Sequence, residues 1–320
     1  MKKNKGSKLG VSVSVVVPVY NSQGCTELLY KRLSKVLGKG VKSWELILVN
    51  DCSKDNSWNI IKELARTSKN IVAVNLMNNF GQHNALMCGL KLAKGKYVIT
   101  MDDDLQHPPE EIPKLLKVME RGKFKVVYGQ YKQKKHGLLR DFVSKSVNRV
   151  LSKVTGTGYN VTSFRAIEKN VVKEMIKFDN FNIMIDVLIK DIVSNKKVGH
   201  CRVQHHKRRI GKSNYSFTKL ASYALNMVFN YTLWPLRLAT ILGFVFAGIS
   251  VLLGVFYFVY FMAVGVDVRG WTSLSLLITF FSGVILFVLG IFGEYLGKIY
   301  LNINHKPQYI IEDIVIKKRN

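Results

Sequence analysis

The sequence predicts an α/β domain followed by a pair of membrane helices, and three observations carry that reading. Short β-branched runs alternate with helix-period stretches from residue 11 to about 130, acidic and polar residues gather just after those runs, and charge separates from apolarity along the chain. Of 320 residues, 48 are Lys or Arg and 21 are Asp or Glu, a formal charge of +27, yet 48% are hydrophobic. From Leu233 onward there are 7 basic and 4 acidic residues, against 41 and 17 before it. The basic excess therefore belongs to an N-terminal soluble portion and the apolarity to a C-terminal one. That split excludes disordered, collagen-like, coiled-coil and disulfide-scaffold classes.

The strand candidates are 11–17, 45–49, 71–75, 97–101 and 125–128. Each is followed by a polar loop and most by helical periodicity, which is the pattern of a parallel doubly wound sheet. Ligands of such sheets bind where the carboxyl ends of the strands meet the loops. The N-terminal MKKNKGSKLG is basic, but the apolar run behind it is short and closed by Pro18, so a cytoplasmic start is expected rather than a signal peptide. Cys25, Cys52, Cys88 and Cys201 lack metal-type spacing and read as reduced, packed thiols.

Beyond the sheet, residues 216–233 place Phe217, Leu220, Ala224, Met227, Val228 and Tyr231 at helical spacing, as an interfacial amphipathic helix would. Residues 238–264 and 272–293 then run without a charged side chain. A bilayer requires about 20 such residues, so both segments are expected to span it. Their basic flanks, including Arg237, Lys298 and Lys306, predict cytoplasmic termini joined by a short outside turn. Gly243, Gly248, Gly254, Gly283 and Gly290 favour close helix packing, also between subunits of a homo-oligomer. The expected organisation is a catalytic domain over 1–215, the interfacial helix over 216–233, the helical pair within 234–297 and a cytoplasmic tail over 298–320.

The loops carry the chemistry. The first strand leads into Pro18, Val19, Tyr20 and Asn21, the second into Asn50, Asp51, Cys52 and Ser53, and the fourth into Asp102, Asp103, Asp104, Leu105 and Gln106. Asp55 reads as a cap for the helix near Trp58. Three consecutive carboxylates repel one another by about a kcal/mol or more unless a cation neutralises them. Oxygen ligands on a loop suit Mg²⁺ or Mn²⁺, whose shells are commonly completed by phosphate and water. No strand is followed by a glycine-rich phosphate loop, which removes dehydrogenase and ATPase readings and leaves a nucleotide-sugar site.

The phrases VVVPVYN (15–21), ELILVNDCSKDNS (45–57), NFGQHNALMCGL (79–90), MDDDLQHPPE (101–110), RRIGKSNYSFTKL (208–220), GEYLGKIY (293–300) and KPQYII (306–311) resemble the inverting glycosyltransferases of family 2, with their GT-A fold. More narrowly, they resemble the polyprenyl-phosphate glycosyltransferases. That resemblance implies nucleoside contacts at Pro18, Tyr20, Asn21, Asp51 and Ser53. It implies a metal and diphosphate at Asp102, Asp104 and Gln106, with Asp103 where many members have Ala. Arg208 would reach the donor phosphates, and Arg140, Ser144 and Ser213 the acceptor phosphate. Asp104 and Asp103 are the candidate catalytic carboxylates.

Several positions depart from the family pattern. Ser22 and Gln23 replace a frequent Glu, Tyr131 stands where an Arg is usual, and Asn214 where a Lys is frequent. Lys132 or Lys135 is then expected to take the role of the missing Arg. Ser163 occupies the place of an Asp that is a catalytic candidate in bacterial relatives. A lipid phosphate acceptor is already anionic near neutral pH and needs little from a general base, so alignment and neutralisation of the leaving diphosphate would dominate. The expected partners are a nucleoside-diphosphate sugar, a polyprenyl phosphate and a membrane, without nucleic acid. A glycosyltransferase acting on a glycan or glycolipid hydroxyl, and a basic membrane protein binding nucleic acid or lipid, are the alternatives.

Overall fold

A computed structural model describes residues 9–131, 161–179, 183–204, 206, 234–264, 270–303 and 307–317. The chain divides into two compact units, one formed by Met1–Asn214 with Lys306–Asn320 and the other by Tyr215–His305.

In the first unit the strands are β1 (Leu9–Val19), β2 (Val41–Asn50), β3 (Ile71–Leu76), β4 (Tyr97–Thr100), β5 (Val126–Gln130), β6 (Arg165–Glu168), β7 (Val198–Arg202) and β8 (Ile311–Ile316). The helices are α1 (Thr26–Gly40), α2 (Ser57–Thr67), α3 (Gln82–Leu92), α4 (Ile112–Gly122), α5 (Lys169–Met175) and α6 (Ile185–Ile192). Among the described residues the sheet order is β7-β5-β6-β4-β1-β2-β3-β8. β1 pairs in parallel with β2 and β4, β2 with β3, and β5 with β7. The sheet is nevertheless mixed, which corrects the expectation of an all-parallel one: β6 runs antiparallel between β4 and β5, and β8 antiparallel along β3.

Burial follows from these positions. β1 lies inside the sheet with helices on both faces, so its run of valines is buried without alternation. Val13, Val15, Val17 and Val19 face one core with Leu29, Leu33 and Leu37 of α1, which recur every four residues as one helical stripe. Val16 faces the opposite core with Ile47, Val49 and the buried residues of α3. α3 approaches β1 so closely that a Cβ on Gly89 would lie 2.3 Å from Val16 Cγ1. Cys25, Cys88 and Cys201 are buried free thiols, and Cys52 is a half-exposed one.

Because α1 to α4 return from the carboxyl to the amino ends of the strands, their C-termini gather at the edge opposite the acidic loops. Each carries a basic residue in its last turn: Lys39, Arg66, Lys91 and Arg121. Cations there complement the negative ends of the helix dipoles.

The second unit contains α7 (Trp234–Val264) and α8 (Trp271–Ile303), of 31 and 33 residues. At 1.5 Å per residue each is about 45–50 Å long, more than the hydrocarbon thickness of about 30 Å. Large apolar side chains such as Phe244, Leu252, Met262 and Leu286 are exposed along both. Within α8, Phe280–Gly297 is long and apolar enough to cross a bilayer; α7 contains a shorter apolar run, Leu236–Phe246. Phe246 meets Phe280 edge-on at a centroid distance of 5.4 Å. The interfacial helix expected over 216–233 lies outside the described residues.

The chain after α8, expected as a tail, instead supplies β8. Its backbone pairs with β3, Asp313 accepts a 3.2 Å hydrogen bond from Lys62 of α2, and Glu312 accepts from Asn75 of β3.

Gly89→Ala should lower the thermal unfolding temperature of the soluble unit, because Val16 has no room to yield. Overpacking of this kind costs about 1–3 kcal/mol, or roughly 2–10 °C at this size. Unfolding followed by tryptophan fluorescence measures it, and no change in the transition would contradict the close approach of α3 to β1.

Candidate active site

Four loops leave the carboxyl ends of β1 to β4, and each contains one residue in the left-handed backbone region: Asn21 (φ 53°), Cys52 (φ 54°), Gly81 (φ 87°) and Leu105 (φ 60°). That conformation costs a residue with a Cβ about 1–2 kcal/mol, so three of these four turns store strain that surrounding bonds must offset. Glycine relieves it only at Gly81, directly before α3.

The bonds are present. Asp51 is almost fully buried, and its two carboxylate oxygens accept the N–H groups of Phe80 at 2.7 Å and Gly81 at 2.9 Å. Burial raises its pKa, opposed by those two bonds. Loops one and two interlock reciprocally: Asn21 N–H donates to Ser53 Oγ and Lys54 N–H to Asn21 Oδ1. Likewise Gln23 N–H donates to Asp55 Oδ2 and Asn56 N–H to Gln23 Oε1. Asp55 also receives the Ser57 N–H that opens α2. Asp51, Ser53 and Asn21, expected at the nucleoside, thus brace the loops themselves. Pro18 lies in register with Val49, and Tyr20 stands at the rim with 44% of its surface exposed.

The acidic triplet is split. Asp102 lies between two donors, with Gln82 Nε2 2.7 Å from Oδ1 and Ser163 Oγ 2.5 Å from Oδ2. Asp103 turns inward and accepts the Tyr20 N–H at 3.3 Å. Burial pushes its carboxyl up to about 6; Ser22 and the Tyr20 N–H oppose that rise, and its two acidic neighbours add to it. Asp104 accepts the Gln106 N–H at 3.1 Å. The strained turn at Leu105 follows at once. Gln106 in turn accepts the N–H of His206 through its carbonyl at 2.9 Å, which brings a residue shortly after β7 to this loop. Arg208 itself, with Lys132, Lys135, Arg140, Ser144 and Ser213, lies outside the described residues.

Beneath the loop is a buried ion pair that the sequence did not announce. Arg165, only 1% exposed, donates from Nη1 to Asp186 and from Nε to Thr100 Oγ1, while Tyr128 donates to the same Asp186 oxygen at 3.1 Å. Thr100 donates onward to the Ser163 carbonyl at 2.7 Å. One network thus ties the end of β4 to Ser163 and, through its hydroxyl, to Asp102. His107 stacks on Phe164 beside it, with ring centroids 5.3 Å apart.

Asp102 and Asp104 fit a hard divalent cation. They offer carboxylate oxygens from positions two apart on one loop, and no grouping of three or more His, Cys, Asp or Glu side chains suited to a metal occurs among the described residues. Such an incomplete set suits an ion that takes the rest of its shell from phosphate oxygens and water.

A mixed α/β sheet whose acidic loop closes the central strand β4 defines a glycosyltransferase of the GT-A class. The chain belongs to glycosyl transferase family 2, whose model matches residues 14–176. It is 34% identical over 308 residues, 95% of this chain and 94% of the relative, to an undecaprenyl-phosphate 4-deoxy-4-formamido-L-arabinose transferase of Photorhabdus laumondii subsp. laumondii. The identity is also 34% to the protein of that name from Shewanella sediminis, over 95% of this chain and 92% of the relative. Among solved structures, glucosyl-3-phosphoglycerate synthase from Mycobacterium tuberculosis, in complex with Mn²⁺ and UDP-glucose, superposes with a TM-score of 0.52. It covers 69% of this chain and 77% of its own, at 18% identity, and so speaks to the fold.

Asp186→Asn should destabilise the soluble unit by about 3–5 kcal/mol, because it leaves Arg165 buried beside a neutral partner. Replacing both residues, as in Arg165→Met with Asp186→Leu, should recover part of that loss. Chemical denaturation of the three variants gives the comparison; a double variant no more stable than Asp186→Asn would contradict a cost located in the unpaired charge.

Proposed function

We propose that this glycosyltransferase moves a sugar from a nucleoside diphosphate, with uridine as our reading of the nucleoside, to a polyprenyl phosphate of the undecaprenyl type at the cytoplasmic membrane face. The product would serve cell-wall or surface-polysaccharide modification. The observation that carries this reading is the paired Asp102 and Asp104 at the strand edge, in a chain matched over 95% of its length by undecaprenyl-phosphate sugar transferases.

Asp102, Asp104 and Gln106 would hold Mg²⁺ or Mn²⁺, which supplies neutralisation of the diphosphate as it leaves. The interlocked loops one and two would form the nucleoside wall, with Tyr20 at its rim. Arg208 would complete the donor phosphate contacts. Lys132, Lys135, Arg140, Ser144 and Ser213 would hold the acceptor phosphate, whose oxygen attacks the anomeric carbon from the side opposite the leaving diphosphate. The attacking group is already charged, so the neutral Ser163 beside Asp102 need not act as a base.

Membrane attachment through two spans, 238–264 and 272–293, is supported by a parity argument. β8 follows α8 in sequence yet pairs with β3 in the sheet that precedes α7. The chain on either side of the helical pair therefore lies on one side of any bilayer, and the number of crossings is even. An interfacial helix over 216–233 would then hold the soluble domain at the headgroups.

Membranes containing the protein, incubated with labelled nucleotide sugars and undecaprenyl phosphate, should yield lipid-extractable label that a chelator abolishes. Asp104→Asn should lower the rate by about 10²-fold or more, the scale on which removing transition-state charge stabilisation acts. Label that survives both chelator and substitution would sink the metal-assisted mechanism, and absence of label from every donor would sink the acceptor assignment.

A further inference from the structure

Ser163 and Gln82 come from segments far from Asp102 in sequence, yet both end on its carboxylate. Ser163 Oγ is 2.5 Å from Oδ2 and Gln82 Nε2 is 2.7 Å from Oδ1. Neither donor is loosely placed. The Ser163 carbonyl is held by Thr100 Oγ1, the hydroxyl that also receives Arg165 Nε at 2.9 Å. Gln82 is the first residue of α3, directly after Gly81, whose N–H is fixed by Asp51. Two supports of different origin, a buried ion-pair network and a helix start, thus grip opposite oxygens of one acidic side chain.

We propose that Ser163 and Gln82 are positioning residues for the divalent cation: they lock Asp102 in one rotamer before the ion that it would share with Asp104 binds. The proposal rests on the metal reading given under the proposed function. A carboxylate donated with both oxygens already oriented loses little rotamer freedom when the ion binds, and that saving appears as affinity. The hydroxyl at position 163 also has a chemical consequence. It contributes a donor to Asp102 without adding a second negative oxygen beside it. Asp102 is therefore oriented by two neutral groups, and its full charge remains for the cation.

Binding of Mn²⁺ alone to the purified full-length protein in detergent, read from the electron paramagnetic resonance signal of the free ion, tests this without any sugar donor. Ser163→Ala and Gln82→Ala should each weaken Mn²⁺ binding about tenfold, the value of one hydrogen bond to a charged group. Ser163→Thr, which keeps the hydroxyl, should stay within about twofold of the parent by the same reasoning. Gln82 is exposed, so its variant should unfold at the parental temperature, which separates positioning from a general loss of structure. Unchanged Mn²⁺ affinity in both alanine variants, with binding lost in Asp102→Asn, would overturn the positioning role and leave the metal reading standing. Unchanged affinity in Asp102→Asn as well would remove the metal reading from which the proposal starts.

Discussion

Three consecutive carboxylates at the end of one strand cannot share a surface, and the way the protein separates them organises everything around them. Asp102 is drawn to one side by Ser163 and Gln82, Asp103 is turned down into the protein against the Tyr20 N–H, and Asp104 folds back on the Gln106 N–H. A regular strand would send the first and third side chains to one face and the second to the other. Here the strand stops at Thr100, and the left-handed turn at Leu105 ends the acidic run. The two outer carboxylates stay on the loop, while the middle one becomes a structural tie to the first loop. Each displacement needs a partner from another element, so β1, α3 and the approach to β6 are all committed to this loop.

The same demand explains the density of polar bonds at this edge. Left-handed turns at Asn21, Cys52 and Leu105 are unfavourable in isolation and persist because neighbouring groups over-determine them. Asn21 and Ser53 bind each other's loop, Gln23 and Asp55 do likewise, and Asp51 binds the third loop. Below them, Arg165 is tolerable only because Asp186 and Thr100 accept from it, with Tyr128 donating to the same Asp186 oxygen. A buried pair of this kind adds little net stability, since desolvation offsets much of the attraction. Its consequence is geometric: it fixes Thr100, the last strand residue before the acidic loop, to Ser163.

How much of this was legible in the sequence depended on distance along the chain. The five β-branched runs and the loops that follow them were readable because a strand's period and a turn's composition are local properties. Cys25, Cys88 and Cys201 as packed thiols and Asp55 at the start of α2 were also local inferences, and the structure agrees. β6 and β7, RAIE and VGHCR, each contain a single β-branched residue, so neither shows the run that marked β4 and β5. β8 was invisible for another reason: its partner β3 lies more than 230 residues earlier, across the entire helical pair. Asp51 and Ser53 were recognised as residues of the site, but composition cannot distinguish a carboxylate that meets a ligand from one that holds the next loop. Gln82 went unnoticed because its partner is 20 residues away, and Ser163, seen only as a departure from relatives, bonds to a residue 61 positions distant.

The direction of the strands also divides the surplus positive charge between two edges of the sheet. The whole-chain charge of +27 invites the idea that basic residues surround the phosphates. Yet the helix-terminal cations Lys39, Arg66, Lys91 and Arg121 lie at the amino edge of the sheet, as do Lys94, Lys96, Lys123 and Lys125 just ahead of β4 and β5. They complement helix dipoles at the end of the domain away from the acidic loop. Among the described residues, the loops that follow β1 to β4 contribute a single basic residue, Lys54. On the proposed function, the donor diphosphate and the acceptor phosphate must be met by cations at the carboxyl edge. The chain leaves β5 at Gln130 and runs directly into Lys132, Lys134 and Lys135, and leaves β7 at Arg202 shortly before Lys207, Arg208 and Arg209. Strand direction thus makes those two short basic segments, rather than the global charge, the candidates for the phosphates in that proposal: they follow strands that end at the same edge as β4.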